Sequence, residues 1–236
     1  MRLSILCVTK ALPHAVPFLR SMALLGQSLI AEVVFAADGE KALRVVSDLP
    51  TVPQVLLVHS RGFIESVLDE AVKACSGDYI FRLDDDETAS RALVEWLTSE
   101  EYTESDHWKF PRMHLWPDAN SMIVSQHLFP DYQTRLSIKA KSGGRSTVHA
   151  GSPFGGGSIA PVAILHHKFL VRSYEERKKT AEIYDREYPG YGTGGMLPFN
   201  LPEDFYDKVD IVSVDDGHVP WQPSWYKSNV TMGRAS

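Results

Sequence analysis

Tyr79-Ile80-Phe81-Arg82-Leu83-Asp84-Asp85-Asp86-Glu87 runs from a short apolar segment straight into four acidic side chains. The apolar part has the length and the aromatic and branched content of a strand, and the acidic part marks its end. Upstream, strand-like and helix-like segments alternate. Residues 3–8 form a short apolar run ending at Thr9-Lys10, residues 32–37 a second that stops at Asp38-Gly39, and residues 55–58 a third. Residues 15–25 place Phe18, Leu19, Met22 and Leu25 at helical spacing, with Gly26 as the expected stop. Residues 41–47 read as a short helix, and residues 64–75 carry Ile64, Val67, Leu68, Ala71 and Ala74 on one stripe before Gly77. Residues 89–97 continue as a helix. This order predicts an α/β fold with a mostly parallel central sheet covered by helices on both faces.

The totals fit that reading. A chain of 236 residues with 44% hydrophobic and 23% charged residues is long enough for one large α/β domain. Acidic residues outnumber basic ones by 30 to 24, a charge of −6 that makes general binding to a nucleic-acid backbone unfavourable. No apolar run approaches the ~20 residues that span a bilayer. The N-terminus enters a strand without a signal-peptide pattern. A cytoplasmic protein is expected. Cys7 and Cys75, both in apolar surroundings, are expected to be buried thiols rather than a metal pair or a disulfide.

In open α/β sheets, ligands bind beyond the carboxyl ends of the strands, where Asp84-Asp85-Asp86-Glu87 stands. Adjacent aspartates repel one another unless a cation joins them, and a hard divalent ion prefers such oxygens. Its task there would be to bridge the phosphates of a nucleotide diphosphate. The competing reading is a solvated turn in which an aspartate or Thr88 caps the next helix.

Beyond about residue 105 the pattern becomes irregular. Short strands are expected at residues 107–113, 134–138, 146–149 and 162–167, a helix at 174–188 and a short element within 204–214. The tail from Pro220, with Trp221, Trp225 and Tyr226, reads as an extended arm. Residues 1–105 are thus expected to form a nucleotide-binding half of a single domain, 106–170 a smaller mixed acceptor-side half, and 171–236 a C-terminal helix and tail.

Four pieces of the first half, in order and spacing, resemble the family 2 glycosyltransferases of the GT-A fold: residues 3–9, Ala37-Asp38-Gly39, Arg61-Gly62 with the helix ending Ala74-Cys75-Ser76-Gly77-Asp78, and Leu83-Asp84-Asp85-Asp86-Glu87. The last piece resembles the family's D-x-D motif. The resemblance implies transfer of a sugar, with inversion, from a UDP- or GDP-type donor, assisted by Mn²⁺ or Mg²⁺. It further implies that Asp38 reads the base, Asp84 the ribose and Asp86 the metal, with Thr9, Arg61 and Asp85 at the donor site. The chain departs from the pattern at Ala37, where an aspartate is common, and after Gly62, where Leu68-Asp69 stands near the usual Arg-Asn pair.

In the second half, residues 130–136 followed by Thr147-Val148-His149 resemble some bacterial members, which continue with His-Glu where this chain has Ala150-Gly151. An inverting transfer needs a base for the acceptor hydroxyl, and His149 and Asp131 are both candidates. His166-His167-Lys168 follows a strand, so only one histidine can face the pocket. By family pattern that one is His166, as a metal ligand. Lys168, Arg172 and Arg177 are candidates for phosphate contacts or for a solvated surface. Trp108, Trp116, Trp221 and Trp225 suit either sugar stacking or the core. The acceptor can be a glycan, a protein or another hydroxyl compound. An inactive sugar-nucleotide-binding module stays open because of the missing acid after His149. A sugar nucleotidyltransferase ranks lower, since Thr9-Lys10-Ala11-Leu12-Pro13 is not a Gly-rich phosphate loop.

Overall fold

The computed structural model describes residues 1–49, 53–124, 128–143, 156–190 and 209–218. Strands β1 (Leu3–Thr9), β2 (Glu32–Asp38), β3 (Gln54–Val58) and β4 (Tyr79–Arg82) lie in the order β3-β2-β1-β4, all parallel. The sheet continues through β8 (Asp131–Ile138), β6 (His107–His114), β10 (Ile164–His166) and β5 (Glu87–Ala89), with β9 (Ser158–Ile159) also paired to β6. Only β8 and β5 oppose their neighbours in this nine-stranded sheet. A separate antiparallel pair joins β7 (Ser121–Val124) to β11 (Asp210–Ser213).

Every residue of β1 is buried, because both faces of the sheet are covered. Leu3, Ile5 and Cys7 pack with Phe35 and Phe81 against α1 (Val16–Leu29) and α4 (Arg91–Thr98). Leu6 and Val8 point the other way, with Val34, Ile80 and α3 (Leu68–Ala74). The two-residue side-chain period of a strand thus splits one apolar run between two cores. Both cysteines are buried and free. Helix α2 (Glu40–Ser47) follows β2, and α5 (Lys168–Val171) and α6 (Tyr174–Glu187) follow β10.

Several expectations change. Helix α1 runs through Gly26 and ends at Ile30, which takes the left-handed conformation (φ 51°). Gly26 serves close packing instead, since a Cβ there would lie 2.1 Å from Val33 Cγ2. The stripe at 64–75 divides into a 3-10 turn at Ile64–Val67 and helix α3. The Ser66 hydroxyl donates to the Phe63 carbonyl (2.7 Å) and accepts from the Arg61 amide (3.0 Å), local bonds that compete with a regular helix start. Residues 87–89 form strand β5, and the cap of α4 is Ser90, whose hydroxyl accepts from the Leu93 amide at 3.1 Å. Neither an aspartate of the triplet nor Thr88 caps that helix. The expected strand at 146–149 and the tail from Pro220 lie outside the described residues. Among the described residues no helix is long and apolar enough to cross a membrane.

Gly77 lets β4 start against β1. Its amide donates to the Ser4 hydroxyl at 2.8 Å, and a Cβ there would meet the Ser4 amide nitrogen at 2.7 Å and the Leu3 carbonyl carbon at 2.9 Å. Both neighbours are backbone, so they cannot swing aside. Gly77→Ala is expected to lower stability by roughly 1–3 kcal/mol, seen as an earlier urea midpoint at unchanged slope. An unchanged midpoint would contradict the close approach.

Candidate active site

The acidic turn is built from below by Glu87. Its side chain is fully buried, and Oε2 accepts from the Asp84 amide (2.9 Å), while the Glu87 amide donates back to the Asp84 carbonyl (3.0 Å). Glu87 Oε1 accepts from Arg135 on β8 (2.6 Å) and stands 3.4 Å from Arg112 on β6. A buried carboxylate between two buried guanidiniums fixes where the turn sits.

The three aspartates face different partners. Asp84 Oδ2 accepts from Arg135. Burial pushes its pKa up, but Arg135 and then Arg82 outweigh that and hold it below the usual range. Asp85 accepts from the Thr9 hydroxyl (2.7 Å) and from Arg172 (3.1 Å); burial dominates and raises it to about 6. Thr9 in turn accepts from the Ala11 amide (2.8 Å), which ties the end of β1 to the turn. Asp86 is 3% exposed, with Oδ2 3.2 Å from Arg172 and Oδ1 3.3 Å from His166 Nε2. Burial acts against its charge, yet Arg172 above all keeps it well below the usual carboxylate range.

A cavity of about 270 Å³ opens at these strand ends. Asp38, Ser60, Gly62, Phe63 and Ile64 line it at the ends of β2 and β3, Asp84 to Asp86 at β4, Gln133 and Arg135 on β8, and Thr180, Ile183 and Tyr184 on α6. Asp38 accepts from both the amide (2.9 Å) and the hydroxyl (2.5 Å) of Ser60. Arg61 lies over the Phe63 ring at 5.0 Å. Lys10, Arg82, Arg112, Arg135, Lys168 and Arg172 face Asp38, Glu65, Asp84, Asp85 and Asp86, six cations against five carboxylates. The cavity therefore tolerates an anionic ligand although the chain is acidic overall.

Of the expected site residues, Thr9, Asp38, Asp84, Asp85 and Asp86 line this cavity. His166 stands behind Asp86. Asp131 is engaged elsewhere: Oδ2 accepts from Arg112 Nε (2.8 Å) and lies 3.2 Å from His114 Nε2, and Oδ1 accepts from Gln133 (2.6 Å). His149 lies outside the described residues. His167 pairs with Thr88 (2.8 Å) and packs on Phe18. Arg177 is not solvated: it is fully buried, donates to the Arg172 carbonyl (2.8 Å) and stacks on Phe169 (5.0 Å). Trp108 donates to the Tyr102 carbonyl (2.7 Å) within the core, and Trp116 packs by Ile123 and Phe169. Arg112 and His114 were not singled out in the sequence. Their two-residue spacing on a strand puts both on one face, the one signal that pointed to them.

The fit of a divalent cation is decided by proton accounting. Among the described residues no three His, Cys, Asp or Glu side chains are arranged to hold a metal. Asp86 and His166 do offer a pair. His166 Nδ1 is 2.9 Å from His114 Nδ1, and His166 Nε2 is buried without a hydrogen-bond partner although Asp86 Oδ1 is 3.3 Å away. Burial, then Arg112, holds the His166 pKa well below its usual value, so the ring is neutral. Nε2 faces a carboxylate oxygen without a hydrogen bond, and with the ring's proton on Nδ1 the two atoms suit a shared cation. Adjacent ligands with bonds of about 2.1 Å at right angles stand about 3 Å apart. Mg²⁺-type sites also use one or two protein ligands and complete their shell with substrate phosphates and water.

Burial lowers His114 and His167 to about 4 and holds His166 well below its usual value. The unfolded chain takes up protons at these groups as pH falls below about 6.5, while the folded chain does not, so stability is present above that pH and is lost toward 4. Asp85 acts oppositely, because its raised pKa of about 6 makes its charge a cost that acid relieves. With these histidines against one aspartate, stability is expected to fall by several kcal/mol from pH 7 to 4.5, at roughly 2–3 kcal/mol for each of His114 and His167. His167→Gln should remove one such step. Equal unfolding midpoints at both pH values would refute the assignment.

No protein-family model matches this sequence, and no curated protein sequence matches it. Among solved structures, the chain is similar to TarS of S. aureus, with a TM-score of 0.49 and 14% identity over 80% of this chain and 40% of that one. TarS 1–349 in complex with UDP gives 0.46 and 14% identity, over 84% and 70% of the two chains. HddC from Yersinia pseudotuberculosis gives 0.35 and 11%, over 88% and 97%. The chain thus spans about 40% of the length of the TarS chain it matches.

Proposed function

We propose that the cavity binds a nucleoside-diphosphate sugar together with Mn²⁺ or Mg²⁺ and that the chain transfers the sugar, with inversion, to an acceptor hydroxyl. The observation that carries this reading is the partnerless Nε2 of His166, which faces Asp86 from behind the wall of a cavity rich in both cations and carboxylates. Such a mixture suits a ligand that is itself anionic and arrives with a cation. Bound there, the metal would neutralise the charge that develops on the departing diphosphate. Asp86 and His166 would hold it. Asp38, oriented by Ser60, would take the base. Asp84, with Oδ2 committed to Arg135, would present Oδ1 to the ribose. Arg172 and Lys168 are cations placed to receive phosphate oxygens once Arg172 leaves the aspartates, and burial lowers Lys168 to about 8. Asp131 is tied to Arg112 and His114. We therefore assign the acceptor's proton to His149.

Thermal shift with UDP and GDP, each with and without Mn²⁺, tests the reading. A ligand at 100 times its Kd stabilises the folded form by about 2.7 kcal/mol. The wild type should gain stability most from one nucleotide plus metal. Asp86→Asn should lose the metal-dependent part, and Asp38→Ala should weaken nucleotide binding yet keep it metal-dependent. With the matching donor and an acceptor panel, release of nucleoside diphosphate marks transfer. Release of pyrophosphate would instead mark a nucleotidyltransferase, and binding without turnover an inactive module. A shift of the same size in Asp86→Asn would count against the metal site.

A further inference from the structure

The cation reading leaves open why His166 should keep its Nε2 lone pair free. The nearest group is the Asp86 carboxylate, which would by itself draw a proton onto that nitrogen. The answer lies on the other side of the ring, in a line of contacts across three adjacent strands. His166 on β10 is the register partner of His114 on β6, and Arg112, two residues before His114, is the register partner of Asp131 on β8. The side chains meet in the same order: His166 Nδ1 to His114 Nδ1 at 2.9 Å, His114 Nε2 to Asp131 Oδ2 at 3.2 Å, and Asp131 Oδ2 to Arg112 Nε at 2.8 Å. His114 is fully buried and His166 is 1% exposed, so water does not stand in for either partner.

The direction of each bond follows from what the groups can do. Asp131, held ionised against its burial by the bond with His114 and by Arg112, only accepts, so His114 Nε2 donates. A neutral His114 then offers its lone pair at Nδ1, and His166 Nδ1 must donate to it. A neutral His166 that donates from Nδ1 has a lone pair at Nε2, the atom that faces Asp86. With His114 neutral, reversing either bond that it makes would set its own ring lone pair against the Asp131 carboxylate.

We propose that His114, anchored by Asp131, is a positioning residue that fixes His166 in the tautomer with Nε2 unprotonated and aimed at Asp86. Metal-binding histidines commonly give their second N–H to a carboxylate or carbonyl. Here the carboxylate acts one ring further away, through His114. The inference rests on the reading of Asp86 and His166 as the cation site, but the tautomer itself is observable without any metal.

The test is ¹⁵N NMR of the histidine rings in the metal-free protein, paired with calorimetric titration of Mn²⁺. In the wild type and in His114→Gln, His166 should show a protonated Nδ1 and a bare Nε2. The glutamine carbonyl can accept from His166, and its amide can donate to Asp131. In His114→Phe the proton should move to Nε2, toward Asp86, and Mn²⁺ affinity should fall by about 10–100-fold. His114→Gln should recover most of that loss. A wild-type His166 protonated at Nε2 overturns the proposal even if His114→Phe does not fold. So does a His114→Phe protein that keeps the wild-type tautomer. A wild type with the expected tautomer but no Mn²⁺ binding upholds the positioning role and overturns the metal-dependent function instead.

Discussion

Like charges crowded at a strand end are the constraint from which the rest of the site follows. Two charges 4 Å apart at an effective dielectric near 20 interact by about 4 kcal/mol, and Asp84, Asp85, Asp86 and Glu87 are consecutive. The chain answers by burying Glu87 beneath the turn and surrounding it with Arg135 and Arg112, while Arg172 reaches the outer aspartates. Removing one member of such a buried network leaves its partner uncompensated, which is costly. The arginines come from β6, β8 and the segment after α5, so the acidic turn specifies how distant parts of the chain must meet.

The antiparallel strand β8 makes that meeting possible. It is hydrogen-bonded to β4 on one side and β6 on the other; Asp131 and Gln133 share one face, and Arg135 stands where the pairing with β6 shifts register. Arg135 reaches Asp84 and Glu87, Gln133 lines the cavity, and Asp131 holds the histidine line. One strand thus serves three parts of the site at a two-residue spacing.

Much of this was legible in the chain itself. The four parallel strands announce themselves as short apolar runs with stops at Thr9, Asp38 and Asp84, and the acidic triplet stands at a strand end as expected. His166 ends β10 beside Asp86, while His167, one residue beyond the strand, pairs with Thr88. The rest depended on pairing between distant segments. Strand β5 has three residues and no period of its own; only β10 beside it makes it a strand. Gly26 looked like a helix stop because its close neighbour, Val33, belongs to the next strand. Arg112 and His114 sit in a segment whose composition gives no hint that β8 and β10 will flank it. Asp131 looked like a free carboxylate for the same reason.

The position of Arg172 has a wider consequence. Its guanidinium spans Asp85 and Asp86, 3.1 and 3.2 Å away, and so acts as an internal counter-ion for the acidic turn. The acidic corner can therefore assemble around a cation that belongs to the chain itself. On the proposed reading, a cation entering the corner would compete with a side chain already in place, which would temper its hold on the protein alone. An incoming anion would give the displaced guanidinium somewhere to go, so joint loading of the two ligands would be favoured over loading of either one alone.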